Sequence, residues 1–302
     1  MIKRRFFKQP HISIFLGGAV FLSLMLPVQA IAIDRALEQG LKPHRALYDI
    51  QLSKNKNGSQ IVNISGQMMY EWKPSCDAWV SNHRFNMVYE YADGPAMQIS
   101  SDFVTYESFD GKTINFTSQR KRDGQLFEEL RGSAEMSEGG PASEAVFNLP
   151  KGLTFDLPKG TLFPMGHTLS VLENIKKGKK FYSATIFDGG DEDGPVEVNS
   201  FIGKPIDPAS VIKTDKDIDK SLLDSKAWEV RLAFFPLKNS ESTADYEISL
   251  VFQENGVVSD MKIDYADFSV NQKLVALEPL EGGCNAKSDE EKKGDKPDVQ
   301  EH

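Results

Sequence analysis

From about residue 44 onward, apolar and polar side chains alternate with a period of two. Ala46, Tyr48, Ile50 and Leu52 fall on one side of an extended chain. In the next segment Val62, Ile64, Met68, Tyr70 and Trp72 share a side, with Asn63, Ser65, Gln67 and Glu71 opposite. That period is the signature of a strand with one buried face. Trp228, Val230, Leu232 and Phe234 alternate with Glu229, Arg231 and Ala233 as far as Pro236, which lacks a ladder donor and stops the strand. Near the end, Tyr246, Ile248, Leu250 and Phe252 run into Asn255-Gly256 and return through Val257, Met261, Ile263 and Tyr265, predicting a hairpin with a tight primed turn. Further turn signals stand at Asn57-Gly58, Asp93-Gly94-Pro95, Asp110-Gly111 and Asp123-Gly124. Strands and turns at this cadence predict an all-β fold built on one large antiparallel sheet.

One stretch follows a helical period instead. Between Phe163 and Gly178, Leu169, Leu172 and Ile175 recur every three residues, Thr168 is the expected N-cap, and Lys176, Lys177 and Gly178 form the stop. The spacing predicts one short amphipathic helix there. Shorter helical pieces are expected at Ile33 to Gln39 and Ser221 to Ser225. Pro150-Lys151-Gly152 and Pro158-Lys159-Gly160 resemble linkers, yet both flanks are β-patterned, so residues 31–284 are read as one domain. From Asn285 the chain is Lys, Asp, Glu, Gly and Pro with hardly an apolar residue, and 285–302 is expected to be a disordered charged tail.

The start of the chain changes the picture of where this sheet works. Lys3, Arg4, Arg5 and Lys8 precede an apolar run from Ile12 to Leu26, then Pro27 and the small-residue patterns ending at Ala30 and Ala32. A basic region, an apolar region of about 15 residues and such a site predict a cleaved signal peptide, residues 1–30, cut after Ala30 or Ala32. The run falls short of the roughly 20 residues that span a bilayer. The expected location is therefore the periplasm, with no membrane span in the mature chain. Cleavage removes four cations and no acid, taking the formal charge from −9 to −13. Nucleic acid is thereby excluded as a partner, because phosphate binding needs basic patches.

Cys76 and Cys284 are the two cysteines of the sequence, and in an oxidising compartment they predict a disulfide. A redox pair would want Cys-x-x-Cys and a zinc site four clustered ligands, and neither is present. The bridge would enclose 207 residues, a loop for which chain entropy gives roughly 4 to 5 kcal/mol. No nucleophile elbow, zinc helix, Walker loop or dinucleotide fingerprint occurs. His44, His83 and His167 are expected as surface or capping residues. The acidic run Asp188 to Gly194 departs from the spacing of a calcium loop and is expected to be a solvated hairpin turn. Met68, Met69, Trp72, Trp79, Met87, Tyr89 and Phe103 among others fill a core, or line an apolar cavity if the sheet curves without closing.

Several segments together resemble a known family. His44-Arg45-Ala46-Leu47-Tyr48-Asp49-Ile50, Gly66-Gln67-Met68-Met69-Tyr70-Glu71-Trp72 followed by Cys76, the turn Phe187-Asp188-Gly189-Gly190, and Cys284 are similar in order and spacing to the EipB family, over roughly residues 40 to 285. Those are periplasmic cell-envelope integrity proteins, formerly a domain of unknown function. The resemblance implies a sheet coiled into an open barrel or β-spiral with one or two short helices, a Cys76–Cys284 disulfide, and no catalytic residue, metal or cofactor. It makes His44, Arg45, Tyr48, Trp72 and Asp188 the candidate ligand or partner surface. Gly190 departs from the Ser expected after the first glycine of that turn. The implied role is a non-enzymatic factor that withstands envelope stress, with a periplasmic tetratricopeptide-repeat protein and an envelope lipid or peptidoglycan component as candidate partners. A carrier of lipid or lipoprotein acyl chains is the competing class, and an envelope hydrolase the third.

Overall fold

The computed structural model describes residues 35–56, 58–137, 143–212, 217–237 and 243–283. The signal-peptide and tail expectations, together with Asn57 and Cys284, lie outside these residues. After α1 (Arg35–Gly40) come β1 (His44–Asn55), β2 (Ile61–Pro74), β3 (Ala78–Tyr91), β4 (Met97–Ser108), β5 (Thr113–Arg122), β6 (Gln125–Glu135), β7 (Glu144–Leu149) and β8 (Thr154–Asp156). Helix α2 (Pro164–Lys176) follows, then β9 (Phe181–Ile186), β10 (Val196–Ile206), β11 (Ala227–Pro236), β12 (Tyr246–Gln253), β13 (Val258–Asp264) and β14 (Phe268–Pro279). Short 3-10 turns occupy Pro208–Ser210 and Lys220–Leu222, the second where a helix was expected.

All of these strands join one antiparallel sheet in the order β8-β7-β6-β5-β4-β3-β2-β1-β14-β13-β12-β11-β10-β9. Each arm is a meander of neighbouring hairpins, and the arms meet at the β1–β14 seam, where His44 pairs with Pro279. The two edge strands, β8 and β9, do not pair with each other. Instead the chain leading into α2 forms a parallel bridge to β9: Leu162 N–H donates to Thr185 O at 2.8 Å and Phe187 N–H to Leu162 O at 3.0 Å. The result is an open barrel. Its arms face each other, since Trp72 and Trp79 of one share a core with Ile202, Val230 and Phe252 of the other.

Helix α2 occupies the space between them. Met165, His167, Leu169, Val171, Leu172, Asn174 and Ile175 are all buried. This corrects the amphipathic reading: the helix is surrounded on most of its circumference rather than lying on a surface. Its start also differs. The helix begins at Pro164, whose missing N–H costs nothing at that position. Thr168 is one turn inside and donates its hydroxyl to Pro164 O at 3.0 Å.

Two local corrections have plain causes. A bulge between Ile61 and Asn63 shifts the register of β2 on β3, so Ile61 is buried and Val62 is 52% exposed, reversing the expected faces at that end. The tight primed turn falls at Asp123-Gly124, where both residues have positive φ (50° and 79°), rather than at Asn255-Gly256, where Gly256 alone does. There Gly256 N–H donates to Gln253 O and Gln253 N–H to Val257 O, both at 2.9 Å, which makes a three-residue connection.

Candidate functional site

The inner faces of the two arms enclose a pair of connected chambers of about 380 and 420 Å³. His83, Asp188 and Gln272 belong to the walls of both and mark the waist between them. Their chemistry differs. The first chamber is lined chiefly by apolar groups, among them Tyr48, Met68, Trp72, Met165, Phe252 and Met261. The second adds Arg120, Asp191, Tyr246 and Tyr265 to its apolar wall. A concave cavity of this size with few polar groups is the form that small-molecule sites take.

Strand periodicity explains how polar groups reach this interior. Ser81 and His83 are in phase with Phe85, Met87 and Tyr89 on β3; Glu107 follows Phe103 and Thr105 on β4; Arg120 follows Phe116 and Ser118 on β5; Gln272 lies between Val270 and Leu274 on β14. Each is a polar residue standing in an apolar phase. Burial drives the His83 ring down to about 4, so it is neutral at ordinary pH. Glu107, 2% exposed, accepts the N–H groups of Met165 (2.7 Å) and Gly166 (2.9 Å) at the start of α2, the capping role expected of Thr168. Burial pushes its carboxyl up to about 7 against those two bonds.

The turn after β9 meets another expectation in part. It connects the hairpin of β9 and β10 and is exposed at Glu192 and Asp193, but its start packs into the barrel: Phe187 is 1% exposed, and a Cβ on Gly189, whose φ is +75°, would lie 2.3 Å from the Phe116 ring. Only glycine supplies that backbone and that clearance. Gly194 approaches the Phe155 ring in the same way. Asp188 is thereby pointed into the waist. It lines both chambers, and its carboxyl is raised by desolvation despite the Gly190 N–H at 2.8 Å and the nearby Arg120 charge. Burial also raises Asp191. Arg120 pairs with Glu128 at 2.9 Å and donates its other arm to Gly190 O at 2.8 Å. Gln272 is 5% exposed, and its Oε1 meets no donor. Among the described residues no group of three or more His, Cys, Asp or Glu side chains is placed to hold a metal.

The candidate residues read from sequence divide. Tyr48, Trp72 and Asp188 converge on the first chamber. Tyr48 is fixed by its hydroxyl bond to Val258 O at 2.8 Å. His44 stands behind the wall, fully buried, its Nδ1 3.0 Å from the Trp72 indole nitrogen and 2.8 Å from Lys42 O; one tautomer serves one of these, by accepting or donating. That burial overturns the surface reading of His44, and His167 is likewise buried at 8% exposure. His167 Nε2 lies 3.3 Å from Ser200 Oγ, but Ser200 is fully enclosed, so no substrate reaches the pair. Arg45 is on the outer face, in ion pairs with Glu71 (2.8 Å) and Glu278 (2.6 Å), away from the cavity. Cys76 lies in the bend between β2 and β3, and no described cysteine is free. His83, Glu107, Arg120 and Gln272 were missed, although polar residues in an apolar phase were a readable signal for all four.

Comparison with known proteins agrees with this architecture. A family model described as EipB-like matches residues 36–281. The chain is 33% identical over 253 residues to the cell envelope integrity protein EipB of Brucella abortus (strain 2308), covering 81% of this chain and 86% of that protein. It also superposes, with a TM-score of 0.71 and 31% identity, on the crystal structure of a beta-barrel-like protein of a domain of unknown function from Brucella abortus, covering 80% of this chain and 99% of the other.

Proposed function

Because this chain belongs to the EipB-like family, we propose that it maintains the integrity of the cell envelope as a periplasmic, non-enzymatic binding factor. The observation that carries this reading is the two-chamber interior of the open barrel, in a chain whose relative is named for envelope integrity. The polar groups there are spaced along apolar walls as they are in binding sites. Export behind residues 1–30 supplies the compartment, and among the described residues no helix is long and apolar enough to cross a membrane. A Cys76–Cys284 disulfide belongs to the same reading: a Cβ on Gly282 would come within 2.6 Å of Pro74, so the chain end arrives two residues from each cysteine. A periplasmic tetratricopeptide-repeat protein is the candidate protein partner on this reading.

Deleting the gene should sensitise cells to detergent, EDTA and β-lactams, with resistance restored by the wild-type copy. Unchanged sensitivity would refute the envelope role. A second reading, a carrier of lipid or lipoprotein acyl chains, is favoured by the largely apolar first chamber. On that reading, protein purified from membranes without detergent carries lipid visible by native mass spectrometry.

A further inference from the structure

Outside the barrel, one patch runs against the charge of the chain. The sequence carries a formal charge of −9, yet Lys176, Lys177, Lys179 and Lys180 follow one another closely where α2 ends and β9 begins, all of them exposed. Gly178, at a φ of +69°, ends the helix between them. Lys180 Nζ donates to Gly203 O at 3.2 Å, which brings the cluster beside the exposed Lys204 of β10. On the same strand Ser200 and Ile202 are buried, so Phe201 between them faces outward and is 39% exposed. Its register partner on β9 is Phe181, 51% exposed, with the two ring centroids 5.2 Å apart. Arg231, opposite Phe201 on β11, lies over that ring at 5.0 Å. Glu173, Glu229 and Glu247 stand nearby, and the first and last already pair with Lys177 (2.7 Å) and Arg231 (3.8 Å). Six cations against these three carboxylates leave the patch basic. Because β9 is an edge strand, lysines alone would serve to keep it from pairing with another chain. Two exposed phenylalanine rings beside them work against that purpose and mark a contact surface instead.

We propose that this patch docks the protein on the surface of an anionic phospholipid bilayer, with Phe181 and Phe201 entering the headgroup layer and the surrounding lysines meeting lipid phosphates. Basic side chains near such a surface each add attraction, and aromatic rings settle at the boundary between water and hydrocarbon. Together they hold a protein on a membrane without spanning it. The remainder of the chain is acidic and is repelled by the same surface, so the protein approaches with this patch foremost. Attachment of this kind weakens as salt rises, because the charges act through water. The inference concerns the outer face of β9 to β11 and is independent of what the cavity binds.

The test mixes purified mature protein with vesicles of phosphatidylglycerol and phosphatidylethanolamine, or of phosphatidylcholine alone, and separates bound protein by flotation. Binding to the anionic vesicles is expected to be about tenfold or more tighter than to the neutral ones, and to be lost at about 0.5 M salt. Lys179→Glu combined with Lys180→Glu should lower the affinity for anionic vesicles about tenfold or more. The same charge change in the other arm, Lys121→Glu with Arg122→Glu on β5, should leave it nearly unchanged. Phe181→Ser should weaken binding several-fold, and in Phe181→Trp a brominated phospholipid should quench the added tryptophan. Melting curves establish that each variant is folded. No vesicle binding, equal binding to phosphatidylcholine, or equal loss from both pairs of charge reversals would overturn the assignment. Binding that ignores Phe181 and is matched by soluble polyglutamate would overturn it as well, and would identify an acidic polypeptide as the partner. Because the readout is vesicle binding in vitro, such a failure leaves the envelope role, which gene deletion tests, untouched.

Discussion

Glu107 and Gly189 show how much of this molecule depends on single residues set within strands and turns. In the folded chain Glu107 keeps its proton up to about pH 7, against 4.5 for an unperturbed glutamate. Between those values the folded state binds the extra proton. The contribution to stability is therefore complete below about 4.5 and is lost as pH rises through 7. Melting temperature measured from pH 5 to 7.5 should fall less steeply for Glu107→Gln than for the wild type. Glu107→Ala leaves two N–H groups at the start of α2 unmet and should cost about 3 kcal/mol in denaturant unfolding. At Gly189 a methyl group meets both a positive φ and the Phe116 ring. Gly189→Ala should destabilise by about 2–4 kcal/mol, the sum of backbone strain and overpacking, and should displace Asp188 from the waist.

At the level of elements, alternation was the most legible property. Ala46, Tyr48 and Ile50 are buried as their phase requires, and β11 stops at Pro236. What alternation leaves open is which polar residue in an apolar phase faces a cavity, a cap or the core. Gln272 and Glu107 look alike on paper; the first meets empty space and the second a helix 58 residues away. The misjudged start of α2 has the same origin, because its cap comes from β4 and no local pattern records it. The inward turn after Phe187 was hidden because polar composition signals a loop but not which side of the sheet that loop takes. Since α2 is clasped by both arms, Leu172→Ala, at a site 1% exposed, should cost about 2–5 kcal/mol, read from chemical denaturation.

The architecture of the whole molecule was readable as a large antiparallel sheet, whereas the strand order was not, because hairpin signals fix neighbours in sequence and say nothing of the β1–β14 seam. If Cys76 and Cys284 are joined, the bond fastens the chain end close to that seam. Cys76→Ser, or reductant added to the wild type, should then lower the melting temperature, with a loss of roughly 4 to 5 kcal/mol; identical curves with and without reductant would contradict the pairing. The seam itself carries a further consequence. It joins the first strand to the last, His44 to Pro279, while every other strand pairing links sequence neighbours. Each half can zip up by itself, yet the two halves stay unfastened until the final strand docks on the first. A folding chain therefore exposes both flanks of an unfinished wall until that last pairing forms, and truncation just before Phe268 should yield two loosely tethered ribbons in place of a vessel.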